Sequence, residues 1–179
     1  MDDKEILLTW RSGRREEAFN AIVQQYSEKL YWHVRALTNS HEDTDDLLQD
    51  IFIKIWGALP GFRGDSNLYT WIWRIATNET LNFLSRSNRR STEGLTPEME
   101  RKIDGDPWFN GTAVERELAK AMASLPKKQR LVFQMRYYEE MPYEDISKIL
   151  KTSVGSLKAS YHFAYKKIKE AVGNSLDDF

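Results

Sequence analysis

Cationic and amide side chains recur at helical spacing in the middle of the chain. They lie three or four residues apart and so would share one helical face, and Glu79 is the only acidic residue between Trp71 and Arg90. The face consists of Arg74, Asn78, Asn82, Arg86 and Arg89. Unstacked bases need aromatic or amide partners beside a cationic track. This pattern therefore predicts binding of a nucleic-acid single strand.

The loop directly before this helix, residues 61–66, has side chains suited to an extruded base. The helix itself is expected to begin at about Asn67. The Arg-Gly-Asp sequence at 63–65 is better explained as part of the loop than as an adhesion motif, because a cytoplasmic chain meets no integrin. The aromatic residues Tyr69, Trp71 and Trp73 fit a core and a strand-separating role equally well.

Residues 142–172 predict two short amphipathic helices, Tyr143 to Leu150 and Val154 to about Val172. The intervening residues 151–153 can form only a sharp turn, and Ser153 can cap the second helix. Two such helices with a basic second member predict a helix-turn-helix that enters the major groove of DNA. A helical hairpin with a solvated basic face is the alternative. The outward face would carry Ser156, Lys158, Ala159, Ser160, His162, Phe163, Lys166, Lys167 and Lys169.

Helix 44–59 has more apolar side chains than one core-facing stripe needs. These are Leu47, Leu48, Ile51, Phe52, Ile53, Ile55, Trp56 and Leu59. A surplus apolar strip fits a surface that binds a protein partner. The alternative, burial in a three-helix bundle, is expected for about half of them.

The positions of helix-capping residues, glycines and prolines along the chain predict an all-α protein. It would consist of two small helical domains joined by a flexible linker. The first domain would span residues 1–88 and contain helices 15–37, 44–59 and 67–87, the first of them interrupted near Ser27. The linker would span 89–111, where glycines, prolines and charges break the periodicity, with Trp108 and Phe109 as an anchor on the second domain or as a partner contact. The second domain, 112–179, would open with a capping box at Thr112 and Glu115, followed by Pro126 in the first turn of its next helix.

Composition excludes several classes of protein. The 179 residues include no cysteine, which rules out disulfides and thiolate metal sites. The amino terminus lacks a secretory signal and no apolar run is long enough to span a bilayer, so the cytoplasm is the expected location without membrane insertion. A formal net charge of −1 argues against tight, unassisted DNA binding.

Enzyme chemistry has little support in the sequence. His33, His41 and His162 are scattered, and no zinc-protease motif or glycine-rich phosphate loop occurs. The acidic run Asp43, Asp45, Asp46 and Asp50 is better explained as the start of a helix than as metal ligands. We therefore expect no catalytic residue, no metal and no cofactor.

Four segments of the sequence resemble a known protein family. The sequences DLLQDIFIKIW (46–56), FRGDSNLYTWIWRIATN (62–78), LNFLSRSNRR (81–90) and LPKKQRLVFQMRYYEEMPYEDISKILKTSVGSLKASYHFAYKKI (125–168) resemble extracytoplasmic-function (ECF) sigma factors of the sigma-70 family. The resemblance covers nearly the whole chain. It implies a sigma-2-like and a sigma-4-like domain, core RNA polymerase and promoter DNA as partners, and leaves an anti-sigma factor open. A stand-alone helix-turn-helix activator remains the competing interpretation.

The resemblance also implies three sets of contact residues. On the clamp helices of the polymerase largest subunit they would be Asp46, Gln49, Asp50, Ile53 and Trp56. On melted minus-10 bases they would be Phe62, Arg63, Asp65, Ser66, Asn67, Trp73, Arg74, Asn78 and Asn82, with Asn78 the strongest candidate. On the minus-35 duplex they would be Ser153, Ser156, Lys158, Ala159, His162, Phe163, Lys166 and Lys167.

The recognition helix departs from the family pattern. Many relatives carry arginines where this chain has Ser160, Tyr161, His162, Phe163 and Tyr165. Contacts of arginine with guanine are therefore partly missing, and apolar or water-mediated contacts must replace them. The minus-35 sequence does not follow from the recognition helix alone.

Overall fold

A computed structural model describes residues 1–87, 97–105 and 111–173, and the described residues form helices and no strand. The helices are α1 Asp3–Arg11, α2 Arg15–Thr38, α3 His41–Ala58, α4 Leu68–Ser87, α5 Pro97–Asp104, α6 Ala113–Ala123, α7 Lys127–Phe133, α8 Tyr143–Leu150 and α9 Val154–Val172. A 3₁₀ turn, Leu59–Gly61, follows α3, and a π-helical turn, Gln134–Tyr138, continues α7. The predicted all-α class is confirmed.

The first four helices form a bundle around an apolar core. Ile6 of α1, Ile22 of α2, Ile51 of α3 and Ile72 of α4 are fully buried. Helix α1 was not predicted from the sequence, although Asp2 and Glu5 form a capping box at its start. The hydroxyl of Tyr26 hydrogen-bonds to the Asp3 carboxylate and ties α1 to α2.

Helix α2 runs without interruption through Ser27, so the predicted break near that residue is wrong. The side chains of Ala18, Ile22, Tyr26 and Leu30 are buried and recur every four residues on both sides of Ser27. Continuous packing along this stripe removes any reason for the helix to break. Helix α2 ends at Thr38, its C-cap Asn39 is in the left-handed conformation, and Ser40 caps α3.

A short helix, α5, lies within the predicted linker and was missed by the sequence reasoning. Pro97 is its first residue, a position where proline is favoured, and Gly105 follows its last residue. The helix is held against α6, because Lys120 Nζ lies 2.8 Å from Asp104 Oδ1 and Arg116 donates to the carbonyls of Ile103 and Asp104. The predicted anchor formed by Trp108 and Phe109 lies outside the described residues.

The carboxy-terminal helices pack around Phe133, which is fully buried. Its ring stacks on Tyr137 and Tyr161, with centroids 4.9 and 5.8 Å away. The predicted capping box of Thr112 and Glu115 is present at the start of α6, and Pro126 lies just before α7 instead of in its first turn. Helices α8 and α9 form the predicted helix-turn-helix, with the intervening turn at 151–153.

The two groups of helices pack on each other. Helix α4 lies against α8, and α2 contacts the π-helical turn. Val132, Met135 and Ile146 belong to the same buried apolar cluster as Trp73 and Ile72. The first and second halves of the chain therefore share one buried apolar cluster, and a second cluster surrounds Phe133 in the second half.

Candidate nucleic-acid and protein-partner surfaces

The amide and cationic face of α4 is largely on the surface. Asn78, Asn82 and Arg86 are exposed, whereas Arg74 is half-buried. The Arg74 Nε group is buried without a hydrogen-bond partner among the described residues. Glu79 forms an ion pair with Lys54 of α3, which neutralises the acid next to Asn78. This leaves a strip of amide and cationic groups whose charge is not offset by Glu79. Arg89 lies outside the described residues.

The loop before α4 contains exposed side chains and side chains that contact α4. Arg63 and Asp65 are exposed, and Ser66 is half-buried. Phe62 is half-buried and meets Trp71 edge to face, with ring centroids 5.2 Å apart. Asn67 is exposed, but its Oδ1 accepts a hydrogen bond from the backbone N–H of Thr70 at 2.7 Å. The Asn67 side chain therefore already serves as the cap of α4.

Trp73 requires a correction, because its side chain is fully buried. The indole stacks on Tyr69 with centroids 4.1 Å apart, and its Nε1 donates to Glu139 Oε2 at 2.8 Å. Burial, with smaller contributions from the Glu139 and Asp145 carboxylates, raises the pKa of Tyr69 beside it. The predicted contact of Trp73 with melted DNA is therefore not available in this arrangement.

The second helix of the helix-turn-helix, α9, separates an apolar face from an outward one. Leu157, Ala164 and Ile168 are buried against the other helices. Ser153 accepts a hydrogen bond from the Ser156 backbone N–H at 3.3 Å and so caps the helix. The exposed members of the predicted duplex-binding set are Ser153, Lys158, Ala159, His162, Phe163, Lys166 and Lys167, and Ser156 is half-buried.

Two cationic groups of this surface are held by neighbours. Lys128 Nζ of α7 donates to Ser156 Oγ at 3.1 Å. Lys167 Nζ donates to Gln129 Oε1 at 3.3 Å. Helices α7 and α9 thus present their cations together, which concentrates positive charge on the outward face of the helix-turn-helix.

The predicted partner strip of α3 is exposed. Asp46, Gln49 and Asp50 are exposed, and Ile53 and Trp56 show 69% and 38% of their surface. The ring of Trp56 makes edge-to-face contacts with Trp10 and Phe19, at centroid distances of 5.3 and 5.1 Å. Sequence reasoning missed this aromatic support because it comes from α1 and α2. Of the other apolar residues of this stretch, Leu47, Ile51, Ile55 and Leu59 are buried, and Leu48 and Phe52 are half-buried.

Neither a metal-binding cluster nor a membrane-spanning helix is found among the described residues. No group of three or more histidine, aspartate or glutamate residues is placed to hold a metal ion among residues 1–87, 97–105 and 111–173. In the same ranges, none of the helices has the length and apolar character needed to cross a bilayer.

Comparison with known proteins identifies the class. The family model "Sigma-70 region 2" matches residues 22–90, and "Sigma-70, region 4" matches residues 115–168. Together these matches cover more than half of the 179 residues. The first match includes most of α2 and all of α3 and α4, and the second includes the helix-turn-helix. Both modules are parts of sigma factors of the sigma-70 family, which direct RNA polymerase to promoters.

Two curated relatives extend this match over most of the chain. The RNA polymerase sigma-H factor of Pseudomonas aeruginosa is 28% identical over 168 residues, which cover 88% of this chain and 87% of the relative. The ECF RNA polymerase sigma-E factor of Escherichia coli K12 is 29% identical over 176 residues, with 90% and 87% coverage. The chain belongs to the ECF group of the sigma-70 family. As a sigma factor it binds core RNA polymerase and promoter DNA and directs transcription initiation.

Solved structures support the same fold. The sigma factor RpoE from Bartonella quintana, solved with the anti-sigma factor NepR, matches with a TM-score of 0.71 at 22% identity, covering 87% of this chain and 97% of that one. CnrH, solved with the cytosolic domain of CnrY, matches with a TM-score of 0.69 at 22% identity, covering 94% and 95%.

Proposed function

We propose that the two halves of this sigma factor divide the promoter between them. The half that contains α1–α4 captures melted minus-10 bases, and the helix-turn-helix reads the minus-35 duplex. The observation that carries the proposal is the pair of exposed surfaces: an amide and cationic strip on α4, and a cationic outward face on α9. Amide groups suit the edges of unstacked bases, whereas lysines beside a major-groove helix suit phosphates.

The minus-10 set consists of the exposed strip and its loop. Asn78 is the central residue, because it is exposed beside the neutralised pair of Glu79 and Lys54. The other members are Phe62, Arg63, Asp65, Ser66, Asn67, Arg74 and Asn82. The minus-35 set is Ser153, Ser156, Lys158, Ala159, His162, Phe163, Lys166 and Lys167.

The exposed strip of α3 is the proposed docking site for core polymerase. Ile53 and Trp56 supply apolar contact area, and Asp46, Gln49 and Asp50 border it with polar groups. An apolar centre with a polar rim is the usual anatomy of a protein interface. The energy for strand opening comes from trapped bases and from polymerase contacts, so the proposal requires no catalytic residue, metal or cofactor. It places the protein in the cytoplasm with the polymerase.

We also propose regulation by an anti-sigma factor. A sigma factor of the same fold, RpoE from Bartonella quintana, was solved as a complex with the anti-sigma factor NepR. Purified protein that is mixed with a candidate anti-sigma domain should lose its ability to support run-off transcription. Undiminished transcription at saturating candidate would exclude that candidate.

The minus-10 assignment is tested by Asn78→Ala. A side chain that reads a base contributes about 1–3 kcal/mol of discrimination, so preference between a cognate and a substituted minus-10 element should fall about tenfold. Run-off transcription with core polymerase on the two templates measures this ratio. Asn20→Ala, at an exposed asparagine of α2, is the matched control and should leave the ratio unchanged. An unaltered ratio in Asn78→Ala would remove this residue from the site.

A further inference from the structure

The turn between α1 and α2 is flanked by exposed arginines. Residues 11–15 have the sequence Arg-Ser-Gly-Arg-Arg, and all three arginines are exposed. Gly13 has a φ of +91°, which residues with a side chain rarely adopt, so the turn requires glycine at this position. Arg14 is already paired, because its Nη1 lies 3.3 Å from Glu17 Oε2.

Arg15 has a different environment. Its guanidinium carbon lies 5.6 Å from the centroid of the Trp10 ring, which is a cation–π contact. Among residues 1–87, 97–105 and 111–173 this guanidinium has no hydrogen bond or ion pair in addition to the ring contact. Arginine carries five N–H donors in a fixed planar arrangement that matches a carboxylate. Arg15 can therefore bind a carboxylate of another molecule while it stays over Trp10.

The Arg15 side chain is continuous with the exposed strip of α3. Trp10 contacts Trp56 edge to face, with ring centroids 5.3 Å apart. Residues 13–17 and Trp56 line one open depression on the surface. The apolar end of the strip and the arginine thus form one surface, although they belong to different helices.

The charge of this surface changes along α3. Asp46 and Asp50 are exposed at one end, Ile53 and Trp56 follow, and Arg15 lies beside Trp56 at the other end. Asp46 and Trp56 are about 15 Å apart along the helix axis, at roughly 1.5 Å per residue. A partner that matches this surface must present a cation to the first end and a carboxylate to the second.

The depression fits a protein better than DNA. Glu16 and Glu17 also line it, and two carboxylates beside Arg15 would repel a phosphate backbone. The net charge of the depression is therefore small, and recognition depends on the directed N–H groups of Arg15. Arginine and tryptophan are also enriched among the residues that dominate protein interfaces.

We propose that Arg15 binds a carboxylate of core RNA polymerase and extends the docking site beyond Trp56. Together with Asp46 and Asp50 at the opposite end, it fixes the direction in which the polymerase segment lies along α3. Trp10 is a positioning residue, because it holds the guanidinium of Arg15 next to the ring of Trp56. This inference rests on the proposed docking of α3 on core polymerase.

Binding of the full chain to core polymerase captured on a sensor surface tests the role of Arg15. Arg15→Gln should raise the dissociation constant about fivefold, because it removes one partly exposed ion pair. Arg15→Glu should raise it roughly twentyfold or more, since two carboxylates would then face each other. Arg15→Lys should recover part of the loss, because an ammonium keeps the charge without the planar arrangement of donors.

Arg11→Gln is the matched control, because Arg11 is exposed on the same turn but does not line the depression. It should change the dissociation constant by less than about twofold. All of these substitutions replace exposed side chains, and circular dichroism should show the same helical signal for each variant. An unchanged dissociation constant in both Arg15→Gln and Arg15→Glu would overturn the inference.

Ile53→Ala separates the inference from the docking site on which it rests. This substitution should itself weaken binding about fivefold, because Ile53 supplies apolar contact area. If Ile53→Ala weakens binding and Arg15→Gln does not, the docking site stands and the inference fails. If Ile53→Ala has no effect, the docking site on α3 is wrong and the inference fails with it. A loss of promoter binding in Arg15→Gln with unchanged affinity for core polymerase would show a phosphate contact and overturn the inference.

The direction of the polymerase segment is tested by crosslinking. Because the chain contains no cysteine, Arg15→Cys and Asp46→Cys each introduce one position for a photoreactive label. In the complex with core polymerase, the label at position 15 should react next to an exposed aspartate or glutamate. The label at position 46 should react at a different place, next to a lysine or arginine. Reaction of both labels at the same place, or of the label at position 15 with promoter DNA alone, would overturn the proposed direction.

Discussion

At the scale of single residues, Phe163 is the unusual member of the proposed DNA surface. It exposes 55% of its surface on the outward side of α9, next to His162 and one turn after Ala159. The apolar feature that bases present in the major groove is the C5 methyl group of thymine. An exposed phenyl ring and an exposed alanine on a recognition helix therefore fit contacts with thymine methyl groups. Such contacts would replace the arginine contacts that the family resemblance implies.

We expect the minus-35 element of this protein to lose affinity when its thymines are replaced by deoxyuridine, which lacks the methyl group. With holoenzyme in a gel-shift assay, the loss should be about fivefold to tenfold, or ~1–1.4 kcal/mol. Phe163→Ala should weaken binding to the thymine duplex and abolish the difference between the two duplexes. Equal binding of both duplexes by the unsubstituted protein would show that Phe163 does not read thymine.

At the scale of secondary-structure elements, Arg130 of α7 holds the end of α6. It is 8% exposed, and its guanidinium donates to the backbone carbonyls of Met122, Ala123 and Leu125. A fourth bond, to the carbonyl of Leu37 at 3.4 Å, reaches α2. The last carbonyls of a helix have no partner within it, and a cation is favoured there. Burial lowers the pKa of Arg130 from its ordinary value.

The substitution Arg130→Met should therefore lower the free energy of unfolding by more than the small change in side-chain volume suggests. Methionine fills much of the same volume but leaves the buried carbonyls without donors, at a cost of about 2–3 kcal/mol in the free energy of unfolding. Urea denaturation followed by circular dichroism measures the change. Lys127→Met removes an exposed cation from the same helix and should cost less than about 0.5 kcal/mol. Similar small losses in both variants would contradict the role of Arg130.

Elements were predictable where local chemistry marks both ends. Helix α8 has the predicted bounds, and α9 starts after the predicted cap, Ser153. The sequence does not predict α5, because proline and glycine usually interrupt a helix, whereas Pro97 is the first residue of α5 and Gly105 follows its last residue. Helix α1 was missed although its capping box has the same spacing as that of α6. Capping signals are thus as informative in short elements as in long ones.

Surface residues of the candidate site were more predictable than buried ones. Helical periodicity placed Asn78, Lys158 and Ile53 on outward faces, where they are exposed. It could not distinguish a buried from an exposed role for Trp73, because that depends on Glu139, 66 residues further along the chain. Likewise, His33 and Glu139 are separated by 106 residues. Pairings over such distances leave no periodic signal in the sequence.

At the scale of the whole molecule, charge is distributed unevenly. The formal net charge is −1, yet residues 154–172 of α9 contain four lysines and one glutamate. Attraction to the DNA backbone depends on the few phosphates that these cations can neutralise, and it weakens steeply with salt. The low net charge and the small number of cations on α9 therefore predict weak DNA binding in the absence of polymerase.

Free protein should therefore give no sequence-specific gel shift with promoter duplex at about 0.15 M salt, where the few phosphate contacts are strongly screened. Addition of core polymerase should produce a specific complex, because we expect polymerase to supply most of the DNA affinity. A minus-35 substitution should weaken that complex, and competitor DNA without promoter elements should not displace it. Tight, specific binding by the free protein would instead indicate a helix-turn-helix activator that works without polymerase, since its own surface would then suffice for recognition.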